Sequence, residues 1–259
     1  MKNGICKLCL GEKPLIGKSH IYPQFLYQGV FDETNRTVLQ HLKNDGHQFF
    51  QTGFYDKYIL CERCDNIILG SLERYAALVF YNPHTTNSIS ITETRERKDL
   101  TVMNVQNIDY KKFKLFVLSL LWRAHISTNG FFKEVEVSQI EPQLRSMLFN
   151  NDLADDKDFQ LSITRIDRPN GAAIDIIPNP KVNFKQKLKV AIFIIGGLVY
   201  AIELERNSGF SFFPDFSLKP TNEILIPRLS HGTARAYLKA LGIPDKHANY
   251  FSGTKQSSI

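Results

Sequence analysis

The chain has 259 residues, of which 43% are hydrophobic and 22% charged, a composition that supports a sizeable core and excludes a disordered chain. No apolar stretch reaches the roughly 20 residues of a membrane span; the longest, 190–202, is interrupted by Gly196-Gly197. The formal net charge of +6 suits a polyanionic partner such as DNA, and nine Lys/Arg against eight Asp/Glu in residues 1–80 leave most of the surplus beyond residue 80.

The first motif is Cys6-x-x-Cys9, with no apolar secretory segment ahead of it, so a cytoplasmic location is expected. Cys61-x-x-Cys64 holds the other two cysteines of the chain. Both sulfurs of such a pair can turn to one ion, and a reducing compartment disfavours disulfides, so the four thiols point to a structural zinc. Free or bridged thiols and an iron–sulfur centre are the competing uses. Between the pairs lie Lys18-Ser19-His20-Ile21-Tyr22-Pro23 and an irregular stretch with a strong turn signal at Asn44-Asp45-Gly46. Ile67, Ile68, Leu72, Tyr75, Ala76 and Val79 recur at helical spacing, so the second pair opens a helix that ends before Pro83. Residues 1–81 are thus expected to form a zinc-binding module.

Residues 82–109 are polar and read as a linker or an exposed segment. The remainder, 110–259, reads as an α+β domain whose role the sequence does not assign. Asp109 suits the N-cap of a long helix in which Phe113, Phe116, Val117, Leu120 and Leu121 form a stripe, widened by Leu115, Leu118 and Trp122 until several sides are apolar. A shorter helix follows near 141–149, with Pro142 in its first turn. Lys111, Lys112 and Lys114 read as one basic cluster, and Lys181, Lys185, Lys187 and Lys189 as another. Beyond the acidic loop 151–158 the pattern turns to strands, at 159–166, 172–177, 187–195, 198–204, 210–213 and 223–226. Gly196-Gly197 is a two-residue hairpin turn, and a closing helix over 233–241 stops at Gly242 and Pro244. The expected class is α+β, with a helical middle segment and a C-terminal antiparallel β-rich region.

The order Cys-x-x-Cys, Ser19-His20-Ile21-x-Pro23, Leu60-Cys61-x-x-Cys64-Asp65-Asn66 resembles the zinc-knuckle branch of the HNH endonucleases over roughly residues 1–75. The resemblance implies a treble-clef-like ββα module around the zinc. It also implies metal-dependent cleavage of DNA, with His20 as general base and Mg²⁺ or Mn²⁺ steadying charge on the cut phosphate. Asp65 stands where the family has its closing His or Asn, Asn66 one step on, and Asn44 matches the central asparagine by order alone. Ser19 stands where the family has an acidic or His ligand. A hydroxyl is a weak ligand for a hard cation, so Asp65 and Asn66 become the candidate ligands of the catalytic ion. The stretch Ser119-Leu120-Leu121-Trp122-Arg123-Ala124 looks like one in bacterial HNH-like proteins suspected of roles against phage, which implies a context and no mechanism. The alternative is a non-catalytic, zinc-scaffolded module that binds nucleic acid or protein. A protein partner or a homo-oligomer fits either reading.

Overall fold

The first cysteine pair sits in the turn of a hairpin, where β1 (Lys2–Ile5) runs antiparallel to β2 (Glu12–Leu15). This is a computed structural model, which describes residues 2–27, 37–40, 47–50, 53–81, 89–97, 100–167, 177–185, 188–205 and 216–240. In the knuckle, the Cys6 N–H donates to the Gly11 carbonyl (3.0 Å) and the Leu10 N–H to the Cys6 carbonyl (2.8 Å). Closing so tight a turn puts Leu10 at a left-handed φ of 58°. Next comes β3 (Ser19–His20), then a hairpin of β4 (Thr37–Gln40) and β5 (His47–Phe50), then β6 (Tyr55–Asp56), which pairs antiparallel with β3. The stretch expected to be irregular therefore carries a hairpin; its turn signal at 44–46, Asn44 included, lies outside the described residues.

The second pair opens a helix, as its spacing predicts. Its first turns, Arg63–Leu69, are wound as a π-helix, and it continues as α1 (Gly70–Tyr81). Asp65 does not cap this helix: it lies in the first turn, and the N-cap residue Glu62 makes no side-chain cap bond.

Of the two readings of residues 82–109, the exposed segment is the one that fits, since residues 90–96 lie exposed in a strand. The segment supplies β7 (Ser90–Arg97) and β8 (Leu100–Gln106), a hairpin at the edge of the large sheet. α2 (Tyr110–Ile126) begins at Asp109, whose carboxylate accepts from the Lys112 N–H (3.0 Å). α3 (Glu141–Asn150) carries Pro142 in its first turn and ends on Asn151 in the left-handed region, φ 51°. Then come β9 (Leu161–Ile166), β10 (Lys181–Lys185), β11 (Leu188–Ile195), β12 (Leu198–Glu203), β13 (Glu223–Leu229) and α4 (His231–Ala240). Gly196 and Gly197 join β11 to β12 at φ 60° and 77°, which glycine adopts without strain. The expected strands at 172–177 and 210–213 fall outside the described residues, apart from Ile177.

The seven-stranded sheet has the order β10-β11-β12-β9-β13-β8-β7. It is mixed: β9 and β13 run parallel, and the other neighbours antiparallel. One face carries Ile163, Phe193, Tyr200, Ile224 and Ile226 into a core that also takes in α2 and the cysteine knuckles. The other carries Val190, Ile192, Ile194, Val199 and Leu229 against Ala234, Tyr237 and Leu238 of α4. Thirteen residues of α2 are buried, which is why its apolar pattern runs around the helix. No helix among the described residues is long and apolar enough to cross a membrane.

Candidate metal centre

The four cysteines converge, and their sulfurs all lie within 4.8 Å of one another. Four thiolates around one zinc at about 2.3 Å would stand about 3.8 Å apart, so small adjustments close the cage. The Cys61 N–H already donates to Cys6 Sγ at 3.3 Å. Burial, the bond to Cys61 and the nearby Cys6 push the Cys64 thiol well above its ordinary pKa, so a thiolate here needs a cation to balance it. The donor set therefore fits a metal such as zinc, held by Cys6, Cys9, Cys61 and Cys64. A cavity of about 430 Å³ reaches this centre at Cys9, Cys61 and Cys64, with Lys13, Arg63 and Phe149 on its walls.

Beside the cage lies a buried charged cluster that local sequence patterns do not reveal. Arg123 of α2 is 1% exposed. Its Nη1 donates to the His20 carbonyl (3.2 Å), and its Nη2 is in ion contact with Glu73 of α1. That contact lies off the hydrogen-bond direction, and Nε has no hydrogen-bond partner among the described residues. Asp65 shares the cluster. Burial raises its pKa against the pull of Arg123, Glu73 raises it further, and the Ser19 hydroxyl lowers it. That hydroxyl is fully buried and close enough to act on Asp65, though not in hydrogen-bonding geometry.

Strand alternation then decides what His20 can reach. Successive residues of a strand point to opposite faces. Ser19 turns inward to Asp65; His20 turns outward, half-buried, its ring edge-on to Tyr55 with centroids 6.4 Å apart. Lys18, exposed on the same side as His20, places Nζ 4.6 Å from the centre of the Tyr55 ring. Asn66 is exposed on the helix, its carbonyl accepting from Arg74 (3.3 Å). Among the described residues, the four cysteines form the one group of three or more potential metal-binding side chains. Asp65 thus sits with Ser19, Arg123 and Glu73, and the His20 ring with Tyr55.

Two more bonds tie the module to the end of α2. Lys7, within the first knuckle, donates Nζ to the Ile126 carbonyl (2.8 Å), a cation at a helix C-terminus. Asp56 of β6 accepts from the Thr128 N–H and hydroxyl, both at 2.9 Å. Trp122 is core, its Nε1 bonded to Glu141 (2.9 Å). Lys114 departs from the expected basic cluster: it is 1% exposed and donates to the Tyr110 hydroxyl (3.2 Å) and the Asp156 carbonyl (2.8 Å).

Comparison with protein-family models, curated proteins and solved structures returned no match. The likeness to the HNH endonucleases therefore rests on the two cysteine pairs and the Ser19-His20 motif between them.

Proposed function

We propose that the chain is a zinc-scaffolded nucleic-acid-binding module that does not cut its ligand. One observation carries this reading: β3 turns Ser19 inward to Asp65 and Arg123, and Lys18 and His20 outward to Tyr55. The thiolate cage suits zinc and fixes the β3–β6 pair. On the outer face a tyrosine ring stands with Lys18 and His20, and with Lys57 exposed two residues on. A ring to stack on a base, with cations for the phosphates, is the chemistry of a nucleic-acid platform. On the inner face the guanidinium of Arg123 takes the place beside Asp65 and Glu73 that a hard divalent cation would need.

The test uses the full chain with its bound metal. One zinc per chain is expected by elemental analysis. An oligonucleotide should bind with an affinity that falls as salt rises, and Tyr55→Ala should weaken it by about 1–3 kcal/mol. Plasmid DNA with Mg²⁺ or Mn²⁺ should stay uncut. Salt-insensitive binding, or none, overturns the proposal.

The HNH-type nuclease reading has one observation in its favour. The β3–β6 pair followed by the helix from the second knuckle has the strand–strand–helix order that the resemblance implies, with His20 half-exposed on β3. It needs Mg²⁺ or Mn²⁺ on the His20 side of the strand. Cutting by the wild type that His20→Ala abolishes, with zinc content unchanged, would establish it.

A further inference from the structure

We infer that the seven-stranded sheet carries a second site, a row of arginines that binds the phosphates of a nucleic-acid strand. The register sets Arg95 of β7 opposite Thr101 of β8, Thr101 opposite Arg228 of β13, and Arg228 opposite Arg165 of β9. Side chains directly opposite one another share a face. At about 4.8 Å per strand, the three guanidiniums leave the sheet along a line of about 14 Å.

Arg165 and Arg228 are adjacent like charges, and the structure holds them together with a carboxylate. Asp167, only 7% exposed, accepts from Arg165 Nε (2.8 Å) and from Arg228 Nε. Each guanidinium thus engages Asp167 through its inner nitrogen, and both side chains remain about 30% exposed. A guanidinium fixed at Nε keeps two terminal nitrogens in a planar fork, the geometry that matches phosphate oxygens. The second carboxylate is Glu93, 3.5 Å from Arg228 Nη1 and 47% exposed. Such a half-exposed pair is weak and can yield to a phosphate. Asp167 thus holds Arg165 and Arg228 together, and Glu93 reaches Arg228 from the neighbouring edge hairpin. The row lies in the part of the chain that holds the basic surplus: residues 1–80 carry +1 of the total +6, so the rest carry +5.

This site is far from Tyr55 in the sequence and does not depend on the reading of the zinc module. The test is fluorescence anisotropy of a labelled oligothymidylate with the full chain over a series of KCl concentrations. Arg95→Gln, on an exposed strand, should weaken binding about tenfold and lower the salt slope by about one. Glu93→Gln, which removes the competing carboxylate, should tighten it. Unchanged affinity in both variants overturns the inference, whatever Tyr55→Ala does in the same assay. Inorganic phosphate distinguishes the source of the anion. If phosphate perturbs the Arg165 and Arg228 side-chain NMR signals and the oligonucleotide does not bind, the row takes a free phosphate and the nucleic-acid assignment falls; if neither ligand binds, the site itself falls.

Discussion

Strands β1 to β6 are two to four residues long, whereas the strands of the large sheet run from five to eight. The long strands pair side by side in one sheet, and its inner strands bury isoleucine and valine on both faces, with Phe193 on one of them. The short ones have little ladder of their own. They are held by contacts distant in sequence: the thiolate cage, Lys7 on the end of α2, Asp56 on Thr128, and Arg123 on the His20 carbonyl and Glu73. A segment this size, with so few ladder bonds, needs staples; the four cysteines fit a metal as one, and buried charge supplies the other. The contrast predicts that the two regions fail differently.

The largest effect should follow removal of the metal. A structural zinc contributes on the order of 10 kcal/mol to a small metal module. Chelation, or Cys64→Ser, should therefore abolish hydrogen-exchange protection in β1, β2 and β3. Amides of β11 and β12 should stay protected. Loss of protection in the sheet at the same chelator concentration would mean that the two regions unfold as one cooperative unit through their shared core.

Arginine–carboxylate clusters in the two regions allow a sharper test. Arg123 is fully buried, and Arg123→Ala would strand Asp65 and Glu73 without their cation. Breaking a buried pair from one side costs about 3–5 kcal/mol. Asp167→Asn at the sheet should cost less, about 1–2 kcal/mol, because the amide keeps an oxygen that accepts from Arg165 and Arg228 and leaves no cavity, whereas Arg123→Ala empties a fully buried site. Urea denaturation with the metal in place measures both. If Asp167→Asn proves the costlier, burial is not what ranks the two clusters.

Much of this architecture is legible because its determinants are local. Cysteine spacing, the Asp109 cap, Pro142 in a first turn and the Gly196-Gly197 hairpin each act within a few residues. The rest is hidden for physical reasons. β7 exposes Ser90 through Glu96, so its sequence lacks the alternation that marks a half-buried strand and reads as a linker or an exposed segment. Arg123 and His20 are 103 positions apart, and only the fold brings them together. One signal in the sequence was available: Ser19 and His20 are neighbours, so any strand through them must aim them apart. That aims Ser19 toward Asp65 and the His20 side chain to the opposite face of the strand, which changes how the HNH-like motif is read.

Lys114 carries the desolvation argument to a site away from the metal and should give the smallest effect. Burial lowers its pKa from 10.5 to about 8, while Asp156 and Asp158 pull the other way. Between pH 8 and 10.5 the unfolded chain keeps a proton that the folded chain has released, so stability rises with pH across that window. Below pH 8 the folded chain carries the cost of an ammonium buried on α2. Lys114→Met keeps the stem and removes the charge, so at pH 7 it should stabilise the protein by about 1–2 kcal/mol. The gain should shrink toward pH 10, where the wild-type lysine folds neutral. Urea unfolding at pH 7, 8.5 and 10 measures this difference. A variant less stable at pH 7 would mean that the bonds to the Tyr110 hydroxyl and the Asp156 carbonyl outweigh desolvation. Buried charge would then be a net staple at this end of α2 as well, and the contrast between the module and the rest of the chain would narrow to the metal.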